Sequence, residues 1–141
     1  GGNQSCLETI VNKLGSDHTK RALLVRYWDL ISKEIEDIRE TDFGGMGHAC
    51  ELETSLMLNY YPQFVDVSKI DERKPVAGNE WHNPDMFYNK RIYIYKAFDE
   101  YSEKGNVGQP KFASAKKGKL ISSLIVKELS KLMDYYWKND F

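Results

Sequence analysis

The sequence is 141 residues long and has 20 Lys and Arg against 21 Asp and Glu, a formal net charge of −1 at pH 7. This balance excludes a protein whose main task is to neutralise nucleic-acid phosphates or an anionic membrane surface. No apolar run approaches the ~18 residues that a membrane span needs. Hydrophobic residues make up 41% of the chain, which excludes an intrinsically disordered protein. The length suits one domain.

Cysteine usage is sparse. Cys6 and Cys50 form no CxxC pair, so a structural zinc knot is not expected. No signal peptide is visible in the sequence, and a reducing, cytoplasmic location is the expectation.

The first half of the chain alternates between helical and extended patterns. Asn3 is placed to cap a helix that runs to about Leu14, because apolar residues recur there every three or four positions. Residues 22–28 form a nearly continuous apolar run, as expected for a strand covered on both faces. Helical spacing returns over residues 30–38. Residues 41–47 contain three glycines and predict a loop.

The second half continues this alternation. A helix is predicted over residues 50–61, followed by irregular structure over 65–85 and by a strand over 91–98, where isoleucine and tyrosine alternate. Residues 105–110 predict a turn. A long amphipathic helix then follows, with apolar residues on one stripe from Leu120 to Tyr136. Helices that alternate with buried strands predict an α/β layered domain.

Reactive side chains are densest over residues 48–55. Residues two apart on a helix point about 200° away from each other, so Glu51 and Glu53 are not expected to serve one site. Glu53 shares the more apolar face by this geometry, and a carboxylate there must find a cation, a metal or a raised pKa. The alternative is an ordinary, partly exposed helix residue. The glycine-rich loop, His48 and the small neighbours Ala49 and Cys50 favour a functional role.

Other candidate positions leave two interpretations open. Trp28 and Asp29 end the predicted strand at 22–28, and ligands bind outside the carboxyl ends of strands in open α/β sheets. Alternatively, Trp28 fills the core and Asp29 caps the next helix. His82 is suited equally to binding and to loop packing. His18 is expected to be solvated, as is the run of lysines over 116–119.

Four segments resemble the signatures of one family, and they occur in the order of that family. Residues 47–58 (GHACELETSLML) resemble the His-Ala-Gly-Glu-x-Glu-Thr-Ser motif of the creatininase family of metal-dependent amidohydrolases. Residues 27–29 resemble its Tyr-Trp-Asp strand end. Residues 105–118 are similar to its Gly-x-x-Gly-x-Pro and Ala-Ser-x-x-x-Gly motifs, and Gly1-Gly2-Asn3 resembles the end of its Asn-Gly-His-Gly-Gly-Asn motif.

This resemblance implies a three-layer α/β/α fold with a mostly parallel central sheet. It also implies catalytic roles for His48 and Glu53, a substrate pocket lined by Trp28 with Asp29 and Gly47 beside it, and a divalent ion (Zn, Mn or Fe) for which Glu53 is a possible ligand. Cys50 replaces the usual glycine of the family. The loop before His48 lacks the tryptophan and aspartate of creatininase, which argues against creatinine itself as the substrate.

The resemblance covers only the C-terminal half of the family fold, so residues 1–141 are expected to form the C-terminal part of one domain. The metal ligands near the N-terminus of family members have no counterpart here, which suggests a truncated chain or one subunit of a split enzyme. The expected partners are a small-molecule substrate, the N-terminal half and further copies in a homo-oligomer, with no nucleic acid or membrane. The implied function is hydrolysis of a cyclic amide or related ring bond. Ring opening of an oxidised inositol and a non-catalytic subunit are the alternatives.

Overall fold

A computed structural model describes residues 3–16, 21–70, 78–88 and 90–139. It contains five α-helices, namely α1 (Gln4–Gly15), α2 (Ser32–Ile38), α3 (Glu51–Tyr60), α4 (Phe98–Tyr101) and α5 (Ala115–Lys138), and two strands, β1 (Met46–His48) and β2 (Val107–Gly108). Short 3₁₀ turns precede α2 and α5 and follow α3. The Gly1-Gly2 pair and His18, for which the sequence made predictions, lie outside the described residues.

The four helices predicted from periodicity are confirmed. The predicted segments at 3–14, 30–38 and 50–61 correspond to α1, to α2 with its preceding 3₁₀ turn, and to α3, and the final stripe lies on α5. Ser114 caps α5, because its hydroxyl accepts the N–H of Lys117 at 3.2 Å. Helical periodicity is a reliable signal here because each helix satisfies its own backbone hydrogen bonds.

The two predicted strands are wrong. Residues 21–26 and 93–97 have no regular secondary structure, and neither segment has a ladder partner among the described residues. Phe98, predicted to end the second strand, instead begins α4. Ile92 and Ile94 are 42% and 46% exposed, so the alternation over 91–98 does not separate a buried face from a solvent face. A strand needs a neighbour as well as a pattern, and the pattern does not specify the neighbour.

The sheet of the described residues is a short antiparallel pair, β1 with β2, within segments that the sequence analysis predicted as loops. The mostly parallel sheet implied by the resemblance is not formed by this part of the chain. Met46 pairs with Gly108 and His48 with Val107, so the register shifts at Gly47. A Cβ atom at Gly47 would lie 1.8 Å from the carbonyl oxygen of Val107, so this close approach requires glycine.

The core lies where α2, β1, α3 and α5 meet. Six side chains there are almost completely buried: Ile31, Ile35, Met46, Cys50, Leu52 and Ile121. Helices α3 and α5 make the most extensive contact between elements of the described chain. Ser55 joins the two helices, because its hydroxyl accepts the N–H of Ser114 at 3.1 Å. The N-terminus of α3 is thereby fixed against the rest of the domain.

Gly118 allows α5 to approach α3 closely, since a Cβ atom there would lie 1.9 Å from the carbonyl oxygen of Ser55. We expect Gly118→Ala to destabilise the chain by about 1–3 kcal/mol, because the helices must separate to accept the methyl group. The measurement is the free energy of unfolding in urea. Gly15→Ala is the matched control, since nothing lies within 4 Å of its added Cβ. Equal stability of the two variants would contradict the close packing.

Large apolar side chains remain exposed on several elements. They include Leu7, Ile10 and Leu14 on α1, Leu23, Ile92 and Ile94 in the two segments predicted as strands, and Val126 and Trp137 on α5. None of the residues of α1 is buried. Among the described residues, no helix is long and apolar enough to cross a bilayer.

Candidate active site

The turn between β1 and α3 brings His48 and Glu53 together. Ala49 adopts a left-handed backbone conformation, with φ of 47°, which is uncommon for a residue with a side chain. Its N–H donates a 2.5 Å hydrogen bond to Oε2 of Glu53, four residues later. Glu53 lies in the first turn of α3, where the helix dipole favours a negative charge. The carboxylate therefore stabilises both the strained turn and the start of the helix.

His48 completes a carboxylate–imidazole pair. Its Nδ1 atom lies 3.8 Å from Oε2 of Glu53, and its ring contacts Phe98 edge to face with centroids 5.4 Å apart. The side chain of His48 is 60% exposed and that of Glu53 is 36% exposed. Among the described residues, no hydrogen bond is found to the second carboxylate oxygen of Glu53. Both side chains can therefore reach a molecule bound beside them.

Two clefts open on either side of this pair. The Trp28 cleft has a volume of about 590 Å³ and is lined by Trp28, Gly47, His82, Met86 and Tyr101 as well as by the pair itself. The Phe64 cleft has a volume of about 610 Å³ and is lined by Met57, Phe64, Asp66, Lys69 and Lys104 together with the same pair. Both volumes suit a small-molecule ligand.

Four of the five predicted site residues come together. Trp28, Gly47, His48 and Glu53 line the Trp28 cleft. Trp28 also packs against the buried core. It therefore both lines the cleft and fills part of the core, the two alternatives that the sequence left open. Asp29 lies apart from both clefts, in a separate hollow, where it forms an ion pair with Arg26. The structure thus does not bring Asp29 to the other four.

The prediction that Glu53 is the more buried glutamate is wrong. Glu51 is the buried one, because it faces α5 and accepts a hydrogen bond from the ammonium group of Lys117. Met57 and Tyr60, whose apolar character suggested a buried face, are exposed. The prediction of a solvated Lys117 fails for the same reason. One signal was available: Lys117 precedes Ile121 by four residues and so lies on the apolar stripe of α5.

Tyr27, the first residue of the Tyr-Trp-Asp segment, is a further residue near the pair and was not among the predicted site residues. Burial raises the pKa of its hydroxyl, and the negative charge of Glu53 raises it further. Its ring packs edge to face on Trp28, with centroids 5.0 Å apart. Tyr27 therefore stays protonated at neutral pH beside Glu53. His82 reaches the other end of the cleft, where its Nε2 atom lies 3.4 Å from the hydroxyl of Tyr101.

Cys50 is a structural residue beside the site. Burial raises the pKa of its thiol to about 12. Since only the thiolate is nucleophilic, Cys50 is unreactive at neutral pH. A Cβ atom at Gly108 would lie 2.6 Å from Cβ of Cys50, so the thiol fills the space that β2 leaves there.

We expect iodoacetamide at pH 8 to modify the exposed Cys6 of the native chain and to leave Cys50 unmodified. Urea should make both thiols reactive, because unfolding removes the burial that raises the pKa of Cys50. Peptide mass spectrometry after each treatment checks the result. Equal modification of the two cysteines in the native state would contradict the burial of Cys50.

The residues present meet only part of the requirement for a metal ion. His48 and Glu53 offer nitrogen and oxygen donors of the type that zinc and manganese accept. Catalytic zinc takes three protein ligands, however, and the part of the chain that the structure describes contains no cluster of three or more His, Cys, Asp and Glu side chains. Oε2 of Glu53 is also engaged by the Ala49 N–H. These residues by themselves do not form a metal site.

The chain is similar to known proteins over nearly its whole length. The creatininase family model, described as creatinine amidohydrolase, matches residues 1–133. The fold resembles a predicted creatinine amidohydrolase from Bacteroides fragilis, with a TM-score of 0.73 and 21% identity over 94% of this chain and 50% of that one. Two creatininase structures, one with Mn and one a variant complexed with creatine, give TM-scores of 0.64 and 0.59 at 22% identity.

Each creatininase match covers 90% of this chain and 48% of the other, so the chain spans about half the length of these solved relatives. No curated protein is significantly similar to it in sequence. The structural matches confirm the α/β fold class that the resemblance implied. Because the family model covers far more than half of its residues, the chain belongs to the creatininase family.

Proposed function

We propose that this chain is the C-terminal half of a creatininase-family hydrolase that opens a cyclic amide or related ring bond of a small polar substrate. The observation that carries the proposal is the His48–Glu53 pair, which is held by the Ala49 turn and faces the Trp28 cleft. Family membership supports hydrolysis. The chain spans about half the length of its solved relatives, so the activity is assigned to this chain together with the other half of the fold.

In this proposal Glu53 transfers the proton of the reaction, first as a general base and then as a general acid. One oxygen is fixed by the Ala49 N–H, which leaves the other to accept a proton from water and to pass it to the leaving nitrogen. His48, on the same side, stabilises negative charge that develops on the carbonyl oxygen or donates a proton to the leaving group. Trp28 provides an apolar wall that excludes water, and Gly47 is the other assigned substrate contact in the Trp28 cleft.

A divalent ion (Zn, Mn or Fe) is part of the proposal, because one solved relative is a creatininase with Mn. Such an ion, when bound, polarises a carbonyl and lowers the pKa of water. Glu53 is the one possible ligand assigned to this chain, and the remaining ligands are assigned to the other half. The described residues hold too few donors to bind the ion alone.

The exposed apolar faces support a partner. Helix α1 and the two segments predicted as strands expose isoleucine, leucine and tyrosine side chains, which the other half of the fold is proposed to cover. Further copies of the complete fold are proposed to form a homo-oligomer. A cytoplasmic location remains part of the proposal.

The test is hydrolysis by the assembled enzyme, meaning this chain with the other half of the fold. The assay follows ring opening of creatinine, of other cyclic amides and of oxidised inositols, before and after EDTA and after addition of Zn²⁺ or Mn²⁺. We expect EDTA to abolish turnover and one of the two ions to restore it. Turnover that EDTA leaves unchanged would contradict the proposal.

The same assay separates the alternatives. Preference for oxidised inositols over cyclic amides would favour the inositol branch of the family. Absence of turnover with every substrate, together with less than stoichiometric bound metal, would favour a non-catalytic subunit. The lack of a metal-binding cluster among the described residues is the observation that favours this second candidate.

A further inference from the structure

A buried ion pair lies behind the candidate active site. Glu51 is 1% exposed and Lys117 is 14% exposed, and the Lys117 ammonium donates to Oε1 of Glu51. The same ammonium pairs with Glu40 at 2.6 Å and donates to the carbonyl oxygen of Phe112 at 2.9 Å. Oε2 of Glu51 accepts the N–H of Thr41 at 3.0 Å and that of Glu40 at 3.2 Å. The pair therefore joins α3, α5 and the loop before β1.

Lys117 is charged at neutral pH. Burial by itself lowers the pKa of Lys117, but hydrogen bonds to Glu40 and Glu51 outweigh this effect and hold that pKa above its ordinary value. Buried ion pairs add little stability compared with apolar side chains of the same volume, because both charges lose their hydration. What distinguishes such a pair from an apolar contact is its fixed geometry.

That geometry bears on both members of the candidate site. Glu51 is the first residue of α3, and Glu53 follows in the same turn. Glu51 accepts the N–H groups of Glu40 and Thr41. The loop that follows Thr41 leads into β1, which ends at His48. The Glu51–Lys117 ion pair thus fixes the strand that carries His48 and the helix that carries Glu53, on either side of the strained Ala49 turn.

We propose that Lys117, acting through Glu51, is a positioning residue that sets the distance and orientation between His48 and Glu53. This inference rests on the proposed function for its catalytic consequence. Its geometric part concerns the hydrogen bond from the Ala49 N–H to Glu53, which can be measured without any substrate.

The decisive variant is the double substitution Glu51→Gln with Lys117→Met, which removes both charges and leaves neither ion buried alone. In the assembled enzyme we expect kcat to fall about 10- to 100-fold with little change in KM, because the substrate contacts remain and the orientation of the catalytic groups is lost. In this chain, the Ala49 amide should shift in the NMR spectrum and exchange its hydrogen faster. Lys117→Arg, which keeps the charge, should retain more of kcat than the double variant.

The matched control is Glu128→Gln with Lys131→Met, which removes an exposed ion pair from the same helix α5. It should change neither kcat nor the Ala49 amide. If the double variant folds and keeps both kcat and Ala49 protection, the positioning role is wrong. If the double variant loses activity only in proportion to its loss of folded protein, the positioning role is wrong as well. If the unmodified assembly hydrolyses nothing, the proposed function fails, and the Ala49 amide still decides whether the pair controls the turn.

Discussion

Replacing Glu53 with glutamine is expected to reduce turnover of the assembled enzyme by about 10²- to 10⁴-fold, the usual contribution of a positioned acid or base. Glutamine cannot accept and release the proton that the proposed mechanism assigns to this side chain. Its amide oxygen can still accept the N–H of Ala49, as Oε2 of Glu53 does at 2.5 Å. The turn and the start of α3 should therefore remain folded.

The measurement pairs the steady-state rate with the free energy of unfolding, so that a loss of chemistry is distinguished from a loss of structure. Glu8→Gln is the control, because Glu8 lies exposed on α1 and its carboxylate accepts a hydrogen bond from Gln4. It should leave the rate unchanged. Near-full activity of the Glu53→Gln enzyme would remove Glu53 from the mechanism and leave it only the role of a helix cap.

The helices of this chain could be predicted from the sequence because the information is local. The apolar stripe of α5 and the glycine and proline residues around α3 determine those elements without reference to the rest of the fold. The segments 22–28 and 91–98 show the limit. Their composition predicted strands, but strand pairing depends on a neighbour, and none is present among the described residues.

The burial of the two glutamates shows a second limit. Helical geometry correctly separated Glu51 from Glu53, but it could not say which one faced the core. That depends on α5, which brings Lys117 to Glu51 from 66 residues away along the chain. The short β1–β2 pair was not predicted, because strands of three and two residues are too short to show the alternation of apolar and polar residues that indicates a strand.

The candidate site followed from the resemblance more than from physical reasoning. The motif at residues 47–58 indicated His48 and Glu53. In the structure, Nδ1 of His48 lies 3.8 Å from Oε2 of Glu53. Trp28 joins them in one cleft although it is 25 residues from Glu53 in the sequence. Asp29, its neighbour, points to a different surface because the chain turns into a 3₁₀ helix there. A sequence motif thus identifies candidate site residues, whereas the backbone conformation determines which of their side chains line the same cleft.

A second buried ion pair, Arg39 with Asp85, anchors the loop that leads to the candidate site. Asp85 is completely buried, and its Oδ2 atom accepts Nη2 of Arg39 at 2.7 Å and the N–H groups of Gly44 and Met46 at 3.1 and 3.2 Å. Its Oδ1 atom accepts the N–H of Phe87 at 3.1 Å. One carboxylate therefore accepts hydrogen bonds from one guanidinium nitrogen and three backbone N–H groups.

Asp85→Ala should destabilise the chain by about 3–5 kcal/mol, the cost of leaving a buried charge without its partner. The side chain of Arg39 is 6% exposed and would keep its charge with the carbonyl oxygens of Thr41 and Asp42 as its remaining hydrogen-bond acceptors, while three backbone N–H groups would lose their acceptor. Whole domains are stable by only about 5–15 kcal/mol, so a large share of the stability would be lost.

Chemical denaturation of the assembled protein measures this effect, and Asp66→Ala is the matched control. Asp66 is exposed, accepts the N–H of Ser68 and pairs with Lys69 at 3.3 Å, so its loss should cost less than about 1 kcal/mol. The double variant Asp85→Ala with Arg39→Met should recover part of the lost stability, because it removes the stranded charge. If Asp85→Ala costs no more than Asp66→Ala, the Arg39–Asp85 pair does not anchor this loop, and the path from Gly44 through β1 to His48 is held by other contacts.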